Sequence, residues 1–216
     1  MNYLIHREGW PFIAIAVAVN VLLFAFAPLG GWAMLPLTLW CIAFFRNPER
    51  VTPSGPGLIV SPADGKLLPI VSAAPPGELA MGSEARVRLS IFMNVFDVHV
   101  NRIPCDGTVE AISYRPGRFF NASFDKASEH NERMSARIRL AGEPALEMAV
   151  VQIAGLVARR IVSNLVKGQE VHRGERFGII RFGSRLDIYL PAGAEVRVKA
   201  GQSVRAGETV LAALER

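Results

Sequence analysis

Two apolar runs near the start of the chain stand apart from the short alternating segments that follow. The runs cover residues 11–27, interrupted only by Asn20, and residues 32–45, and the Pro-Leu-Gly-Gly sequence at 28–31 predicts a turn between them. At about 1.5 Å of rise per residue, each run would form a helix of roughly 21–25 Å. Because the hydrocarbon core of a bilayer is about 30 Å thick, the pattern predicts an apolar helical hairpin. The hairpin either crosses the bilayer as thin, tilted spans or lies as a monotopic pair in one leaflet.

Beyond a linker rich in proline, glycine and charge at residues 46–57, the pattern becomes one of short strands. Residues 86–92 alternate between apolar and polar, whereas residues 58–60 form a short apolar run and residues 148–153 form a run that looks buried. Frequent glycine and proline turns separate these segments. The pattern therefore predicts a mainly β fold, either a barrel or a sandwich.

The C-terminal tail repeats a simple form over residues 196–211. A strand is followed by a turn at Gly201, a valine, a second turn at Gly207 and another strand. This form resembles the hammerhead-type half-barrel of biotinyl and lipoyl carrier domains. Those domains carry a cofactor on a lysine at a hairpin tip, and the turns of this tail have none, so the likeness is one of fold and not of function. We expect hammerhead-like halves, with residues 1–50 as the membrane-associating segment and 51–216 as the β-rich domain.

Charge placement predicts how the apolar pair is oriented. Arg7 precedes the first run, Arg46 and Arg50 follow the second, and the intervening turn is uncharged. Positive residues prefer the cytoplasmic side of a membrane, which puts both ends and the β-rich domain there. The expected location is the cytoplasmic face of the cell membrane, peripheral or monotopic. A cleavable signal peptide is disfavoured because no small-residue cleavage site precedes a polar start.

The overall composition narrows the choice of partners. The net charge is +5, and a basic surface suits nucleic acid, anionic lipid or a phosphorylated substrate. Beside an apolar N-terminus an anionic membrane surface is favoured, and nucleic acid is disfavoured because no run of Lys and Arg is interleaved with aromatic residues. Cys41 and Cys105 have no metal-type spacing, and two cysteines do not make a disulfide framework, so a reducing compartment is expected.

The first candidate for chemistry is the Gly183-Ser184 peptide bond. A second glycine–serine pair, Gly82-Ser83, lies in a polar loop, whereas Gly183-Ser184 lies between two apolar strands, where a distorted bond could be held. Attack of the Ser184 hydroxyl on the Gly183 carbonyl would convert the amide to an ester. β-Elimination would then release the ester, and hydrolysis of the resulting dehydroalanine would leave a pyruvoyl group. The alternative is an ordinary tight turn or bulge.

Two more residues could assist such a reaction. A strand through residues 97–101 would place Asp97, His99 and Asn101 on one face, and an imidazole suits proton transfer near neutral pH. Asp64 lies in the Pro-Ala-Asp-Gly sequence at 62–65. Together with Ser184, Asp64 and His99 could form a relay that activates the serine. The alternative for His99 is a histidine at the edge of a strand that is hydrogen-bonded to a neighbour. The alternative for Asp64 is a common Asp-Gly turn.

Taken together, these residues resemble the short form of the phosphatidylserine decarboxylase family. Several separated motifs in the same order are far more specific than any one of them. In chain order they are FFRNPER at 44–50, SPADG at 61–65, NVFDVHVNR at 94–102, FFNA at 119–122, NE at 131–132, QIAG at 152–155 and RFGSRLD at 181–187.

The resemblance implies a pyruvoyl-dependent carboxy-lyase that is made as a proenzyme. Self-cleavage at Gly183-Ser184 would produce a large β chain, 1–183, and a small α chain, 184–216, which stay associated. Ser184 would become the pyruvoyl group, form a Schiff base with the amine of phosphatidylserine and yield phosphatidylethanolamine. Neither pyridoxal phosphate nor a metal would be needed, because the electron sink is built into the chain. His99 and Asp64 would be the assisting catalytic residues.

One position departs from the family pattern. Many members have two histidines three residues apart, the second thought to activate the serine and the first to act in decarboxylation. Here the first matches His99, but the second position is Arg102. Either His99 serves both steps or another group deprotonates Ser184. Two alternative functions stay open: a non-catalytic, membrane-tethered β-domain that binds lipid or a partner, and a decarboxylase of an archaeal-type serine ether lipid.

Overall fold

A computed structural model of the chain describes residues 4–117, 131–142, 146–155, 160–181 and 184–214. The chain divides into two compact units, Met1–Glu49 and Arg50–Arg216. The first is helical and the second consists almost wholly of β-strands. The predicted mainly β fold preceded by an apolar helical hairpin is therefore confirmed.

The helical unit contains α1, Trp10–Phe26, and α2, Pro28–Phe44, with a short 3₁₀ turn before α1. The predicted turn at residues 28–31 is wrong, because Ala27 alone bends the chain, at φ −148° and ψ 74°. Pro28 is the first residue of α2, a position where its missing N–H is not needed and its fixed φ suits a helix. The two helices are joined by a hydrogen bond from Asn20 Nδ2 to the Gly31 carbonyl, at 3.0 Å.

The helical unit is apolar enough to enter a bilayer. The segment Arg7–Phe26 has the length and composition of a membrane-crossing helix, whereas Pro28–Phe44 is shorter. The 17 residues of α2 correspond to about 25 Å. A helical pair of this kind is compatible with membrane association.

The second unit is built from fifteen short strands among the described residues, joined by tight turns. They are β1 Leu58–Val60, β2 Gly65–Leu67, β3 Val71–Ala73, β4 Arg86–Met93, β5 Val100–Arg102, β6 Gly107–Arg115, β7 Arg133–Leu140, β8 Glu147–Ala154, β9 Ile161–Ser163, β10 Glu170–Val171, β11 Arg176–Ile180, β12 Ser184–Tyr189, β13 Ala194–Val196, β14 Ser203–Val204 and β15 Val210–Leu214.

These strands form three antiparallel sheets. The largest runs in the order β10-β6-β7-β8-β12-β4-β2-β14, with β3 also paired to β4. Two three-stranded sheets, β1-β15-β13 and β5-β11-β9, complete the unit. The tail thus pairs with strands from the start of the domain, through β15 on β1 and β14 on β2.

The strand β12 lies in the middle of the large sheet, between β8 and β4. Its residues alternate between two buried faces. Leu186 and Ile188 point into the main hydrophobic core together with Leu89 and Ile91 of β4, which confirms the alternation predicted for residues 86–92. Arg185, Asp187 and Tyr189 occupy the opposite face and are also buried. A central strand covered on both faces has few water-exposed atoms, so any polar group on it needs a protein partner.

Cys105 belongs to the main core and is fully buried. Burial, followed by the negative charge of Asp106, raises the pKa of its thiol to about 12. A thiol that stays protonated at neutral pH is a poor nucleophile. Cys105 is therefore a packing residue.

Candidate active site

Ser184 is the first residue of β12 and is completely buried. It pairs with Met93 of β4 on one side and with Ala154 of β8 on the other. Its hydroxyl donates to the Met93 thioether, with Oγ and Sδ 3.9 Å apart. A thioether is a weak acceptor, so this contact costs little to break when the hydroxyl turns to another partner. Gly183, the predicted partner in cleavage, lies outside the described residues.

His99 is also fully buried and lies beside the strand that leads to Ser184. Its carbonyl accepts a hydrogen bond from the Ile180 N–H at 3.4 Å, and Ile180 is the last residue of β11. Its ring nitrogen Nδ1 is 3.0 Å from the carbonyl oxygen of Asp97. A carbonyl at Nδ1 holds the proton on that nitrogen and leaves Nε2 as the basic atom of the neutral ring.

The strand predicted through residues 97–101 is wrong at its start, because β5 begins at Val100. Asp97 belongs to a turn in which its carboxylate accepts the Asn94 N–H at 2.8 Å. The Asn94 side chain accepts the Phe96 N–H at 2.8 Å in the same turn. Asn and Asp favour such local bonds to the backbone over a strand ladder. The imidazole therefore contacts the main chain of Asp97, and the Asp97 carboxylate is bonded to the main chain of Asn94.

The carboxylate of Asp64 is bonded to Arg50 and to the main chain of Ala206. Its Oδ2 is 2.7 Å from Arg50 Nη2, and its Oδ1 accepts the Ala206 N–H at 2.8 Å. Arg50 also bonds to Glu208, at 3.2 Å. Within the described ranges, the hydrogen bonds of Asp64 go to these groups and not to His99 or Ser184. The relay from Asp64 through His99 to Ser184 remains a prediction.

A buried pair of amides near Ser184 was not predicted to have a role. Gln152 Nε2 donates to Asn101 Oδ1 at 2.8 Å, and Asn101 Nδ2 approaches the Met93 sulfur at 3.7 Å. Ser184 and Asn101 thus meet at the same thioether. The available signal was a single polar residue, Gln152, inside the apolar run 148–153. The described residues include no group of three or more His, Cys, Asp or Glu side chains arranged to hold a metal ion.

Comparison with known proteins matches this architecture to one family. The family model for phosphatidylserine decarboxylase matches residues 37–212. The chain belongs to the phosphatidylserine decarboxylase family. It is 57% identical to a phosphatidylserine decarboxylase proenzyme of Cereibacter sphaeroides over 97% of this chain and 89% of the relative. It is also similar to two proteins of the same name. The one from Paramagnetospirillum magneticum is 55% identical over 98% of this chain and 87% of the relative. The one from Ruegeria pomeroyi is 56% identical over 97% of this chain and 95% of the relative.

In this member of the decarboxylase family, the position of the second histidine is occupied by a buried arginine. Arg102 Nη1 donates to the Gly174 carbonyl at 2.7 Å, and its main-chain N–H donates to the Pro62 carbonyl at 2.8 Å. A guanidinium stays protonated in proteins and cannot accept a proton. Arg102 therefore holds neighbouring loops together and does not replace a histidine base.

The opposite face of β12 carries a buried ionic cluster. Arg185 Nε is 2.5 Å and Nη2 is 3.1 Å from the Asp187 carboxylate, and Nη2 also bonds to Ser90 Oγ at 2.8 Å. Arg88 Nε lies 4.0 Å from the same carboxylate. Burial, and then the charge of Asp187, raise the pKa of the nearby Tyr189 hydroxyl. The cluster anchors the strand that begins with Ser184.

Replacing Asp187 by asparagine is expected to destabilise the protein by about 3–5 kcal/mol, because it removes the buried carboxylate that lies against both Arg185 and Arg88. The free energy of unfolding in urea, measured on the full chain in detergent, tests this. Glu195→Gln is the control, since Glu195 is exposed and its bond to Arg197 is 3.5 Å long. An exposed pair contributes about 0–1 kcal/mol. Equal losses in both variants would contradict the role of the buried cluster.

Proposed function

We propose that the protein is the proenzyme of a pyruvoyl-dependent phosphatidylserine decarboxylase, which makes phosphatidylethanolamine for phospholipid biosynthesis. The observation that carries this is the position of Ser184, buried at the start of β12 within a chain that matches the family over residues 37–212. The same position argues against an ordinary surface turn. The competing function, a non-catalytic lipid-binding domain, does not require a hydroxyl at this buried position.

The proposed maturation uses only groups of the chain and one water molecule. Ser184 Oγ attacks the Gly183 carbonyl carbon, the peptide C–N bond breaks, and an ester links Gly183 to the serine side chain. Loss of the Ser184 α-proton then expels the Gly183 carboxylate and leaves a dehydroalanine. Water replaces its nitrogen, which leaves as ammonia, and a ketone remains at position 184. The products are the large chain, 1–183, and the small chain, 184–216.

The surroundings of Ser184 fit the resulting pyruvoyl group. Residue 184 is flanked by the small Ala154 and the flexible Met93, which leave room for a planar carbonyl. Residue 184 is fully buried, and the buried amide groups of Asn101 and Gln152 lie next to it. A pyruvoyl group supplies a ketone that condenses with an amine and withdraws the electrons released when carbon dioxide leaves.

We assign proton transfer to His99. Its ring is buried and its main chain is bonded to β11, which keeps the imidazole close to the segment that is cut. With Arg102 unable to act as a base, His99 is the candidate both for taking the Ser184 proton and for proton transfer during decarboxylation. Asp64 acts in this proposal by ordering the 61–65 turn next to β5 through its bonds to Arg50 and Ala206.

The two proposed chains would stay together after cleavage. β12 pairs along its whole length with β4 and β8, both of which belong to the large chain. β14 pairs with β2 and β15 pairs with β1, so every sheet contact of the tail except β13 with β15 crosses the cut. These four strand pairings and a common hydrophobic core support a permanent complex of the two fragments.

Placement at a membrane follows from the substrate and from the helical unit. We place the protein on the cytoplasmic face of the cell membrane, held by α1 and α2 as a peripheral or monotopic anchor. The net charge of +5 favours an anionic lipid surface. Arg160, which is exposed, and Arg181 are joined by a main-chain hydrogen bond at 3.3 Å close to the end of β11. They are candidates for the lipid phosphate.

Mass spectrometry of the purified, fully matured protein tests the proposal. We expect two fragments, 1–183 and 184–216, the smaller with a blocked N-terminus that has lost its amine. Phosphatidylserine in vesicles should be converted to phosphatidylethanolamine with release of carbon dioxide. A single chain of 23.5 kDa after complete maturation would favour the non-catalytic domain. Cleaved protein that acts only on a serine ether lipid would favour the archaeal-type substrate.

A further inference from the structure

Gln152 is a polar side chain in an otherwise apolar face of β8. It is 1% exposed, and its neighbours on the same face, Met148 and Val150, belong to the main hydrophobic core. Ala154, two residues further along this face, is the strand partner of Ser184. Diagonal neighbours on one face of an antiparallel pair are about 7–8 Å apart, within reach of a long side chain. Gln152 therefore borders the space around residue 184.

The Gln152 amide is only half satisfied. Its Nε2 donates to Asn101 Oδ1 at 2.8 Å, whereas its buried Oε1 has no hydrogen-bond partner in the described part of the chain. A buried acceptor that is left without a donor is destabilising. The amide is accommodated at Gly178, where an added Cβ would lie 3.2 Å from Nε2 and would collide with the Val162 carbonyl oxygen. The described residues thus make room for a polar group whose acceptor none of them satisfies.

We infer that Gln152 Oε1 accepts an N–H from the amino group of the substrate and positions that nitrogen against residue 184. This inference rests on the proposed decarboxylase function. An amide oxygen can be satisfied only by a hydrogen-bond donor. In a serine phosphodiester the hydroxyl is esterified and the phosphate and carboxylate are acceptors, so the amino group is the donor that this headgroup brings. Asn101, held by Gln152 and close to the Met93 sulfur, fixes the orientation of the glutamine amide.

Reductive trapping on the cleaved protein tests this contact without using turnover. Phosphoethanolamine is the probe, and sodium cyanoborohydride is the reductant. The probe nitrogen bonds to the carbonyl carbon of residue 184, water leaves, and hydride reduces the C=N bond to a secondary amine, which is read as added mass on the small chain. Loss of one hydrogen bond should make Gln152→Met trap about tenfold more slowly than the unsubstituted protein.

Two further variants separate the contact from general loosening of the strand. Gln152→Glu keeps an acceptor oxygen and should trap at least several-fold faster than Gln152→Met. Val150→Ala removes bulk from the same face of β8, two residues further from Ser184, and should trap at the unsubstituted rate. Borohydride alone should add two hydrogens to the small chain at equal rates in all of them, since hydride reduction of the ketone needs no bound amine.

A comparison of probes needs no substitution. On the unsubstituted protein, we compare the trapping rate of phosphoethanolamine with that of its N-methyl derivative. The ratio of the two rates should be about ten times the ratio measured with pyruvamide, a model ketone, in solution. The reason is that the N-methyl amine keeps no N–H after its nitrogen has bonded to the ketone, so it has nothing to donate to Gln152. Equal trapping by Gln152→Met and the unsubstituted protein, or a probe ratio equal to that of pyruvamide, would overturn the assignment. If the unsubstituted protein is never cut to form the small chain, or if the small chain takes up no hydride, the proposed function is refuted instead.

Discussion

Ser184→Ala is expected to leave the protein as one uncut chain of 23.5 kDa without decarboxylase activity. Alanine has no hydroxyl to attack the Gly183 carbonyl and no leaving group to eliminate, so neither cleavage nor the ketone can arise. The rate should fall by at least about 10⁶-fold, because the group that carries the chemistry is never made. Intact mass and carbon dioxide release measure the two effects. Packing should be little changed, since the buried hydroxyl contacts only a thioether among the described residues.

The matched control for this prediction is Ser83→Ala. Gly82-Ser83 is the same dipeptide, but Gly82 has φ +79° and Ser83 is exposed, in a loop with open space around the glycine. This variant should mature and turn over at the normal rate. A Ser184→Ala chain that is still cut between residues 183 and 184 would show that another nucleophile breaks the bond.

His99→Ala is expected to slow both maturation and decarboxylation by about 10²–10⁴-fold, the usual contribution of a positioned general acid or base. Arg102 stays protonated and is bonded to Gly174, so it cannot take over the role. The rate of appearance of the small chain measures the first step. The decarboxylation step is measured on the matured fraction, as the rate of carbon dioxide release divided by the amount of small chain that has a blocked N-terminus. His99→Gln, which keeps most of the volume, separates loss of the base from the cavity left in the core.

His172→Ala is the control, because the His172 side chain is 79% exposed and its Nδ1 lies as far as 3.9 Å from the Asp106 carboxylate. It should leave both rates unchanged. Normal cleavage of His99→Ala would remove this histidine from maturation, and normal turnover of the cleaved variant would remove it from decarboxylation. The two outcomes are independent, so the experiment also shows whether one imidazole serves both steps.

Local pattern predicted the elements that depend on neighbouring residues. The apolar hairpin, the strand over residues 86–92 and the run at 148–153 were read correctly, because periodicity and burial are properties of a few consecutive side chains. The same reasoning failed where a local hydrogen bond between side chain and main chain, or the fixed φ angle of a proline, overrode the pattern. Pro28 began a helix instead of a turn, and Asp97 bonded to Asn94 instead of extending β5.

Tertiary structure decided what surrounds Ser184. Ser184 is buried because β12 is placed between β4 and β8, and neither pairing can be read from the residues next to it. The bond between Gln152 and Asn101 joins positions 51 residues apart, and the bond of Asp64 to Ala206 joins positions 142 apart. Such contacts depend on sheet order and register, which the whole core selects. The sequence alone determined the family, the apolar helical pair and the residue expected to become the ketone. The fold determined that this residue is buried, paired on both sides, and close to an amide oxygen that no described residue satisfies.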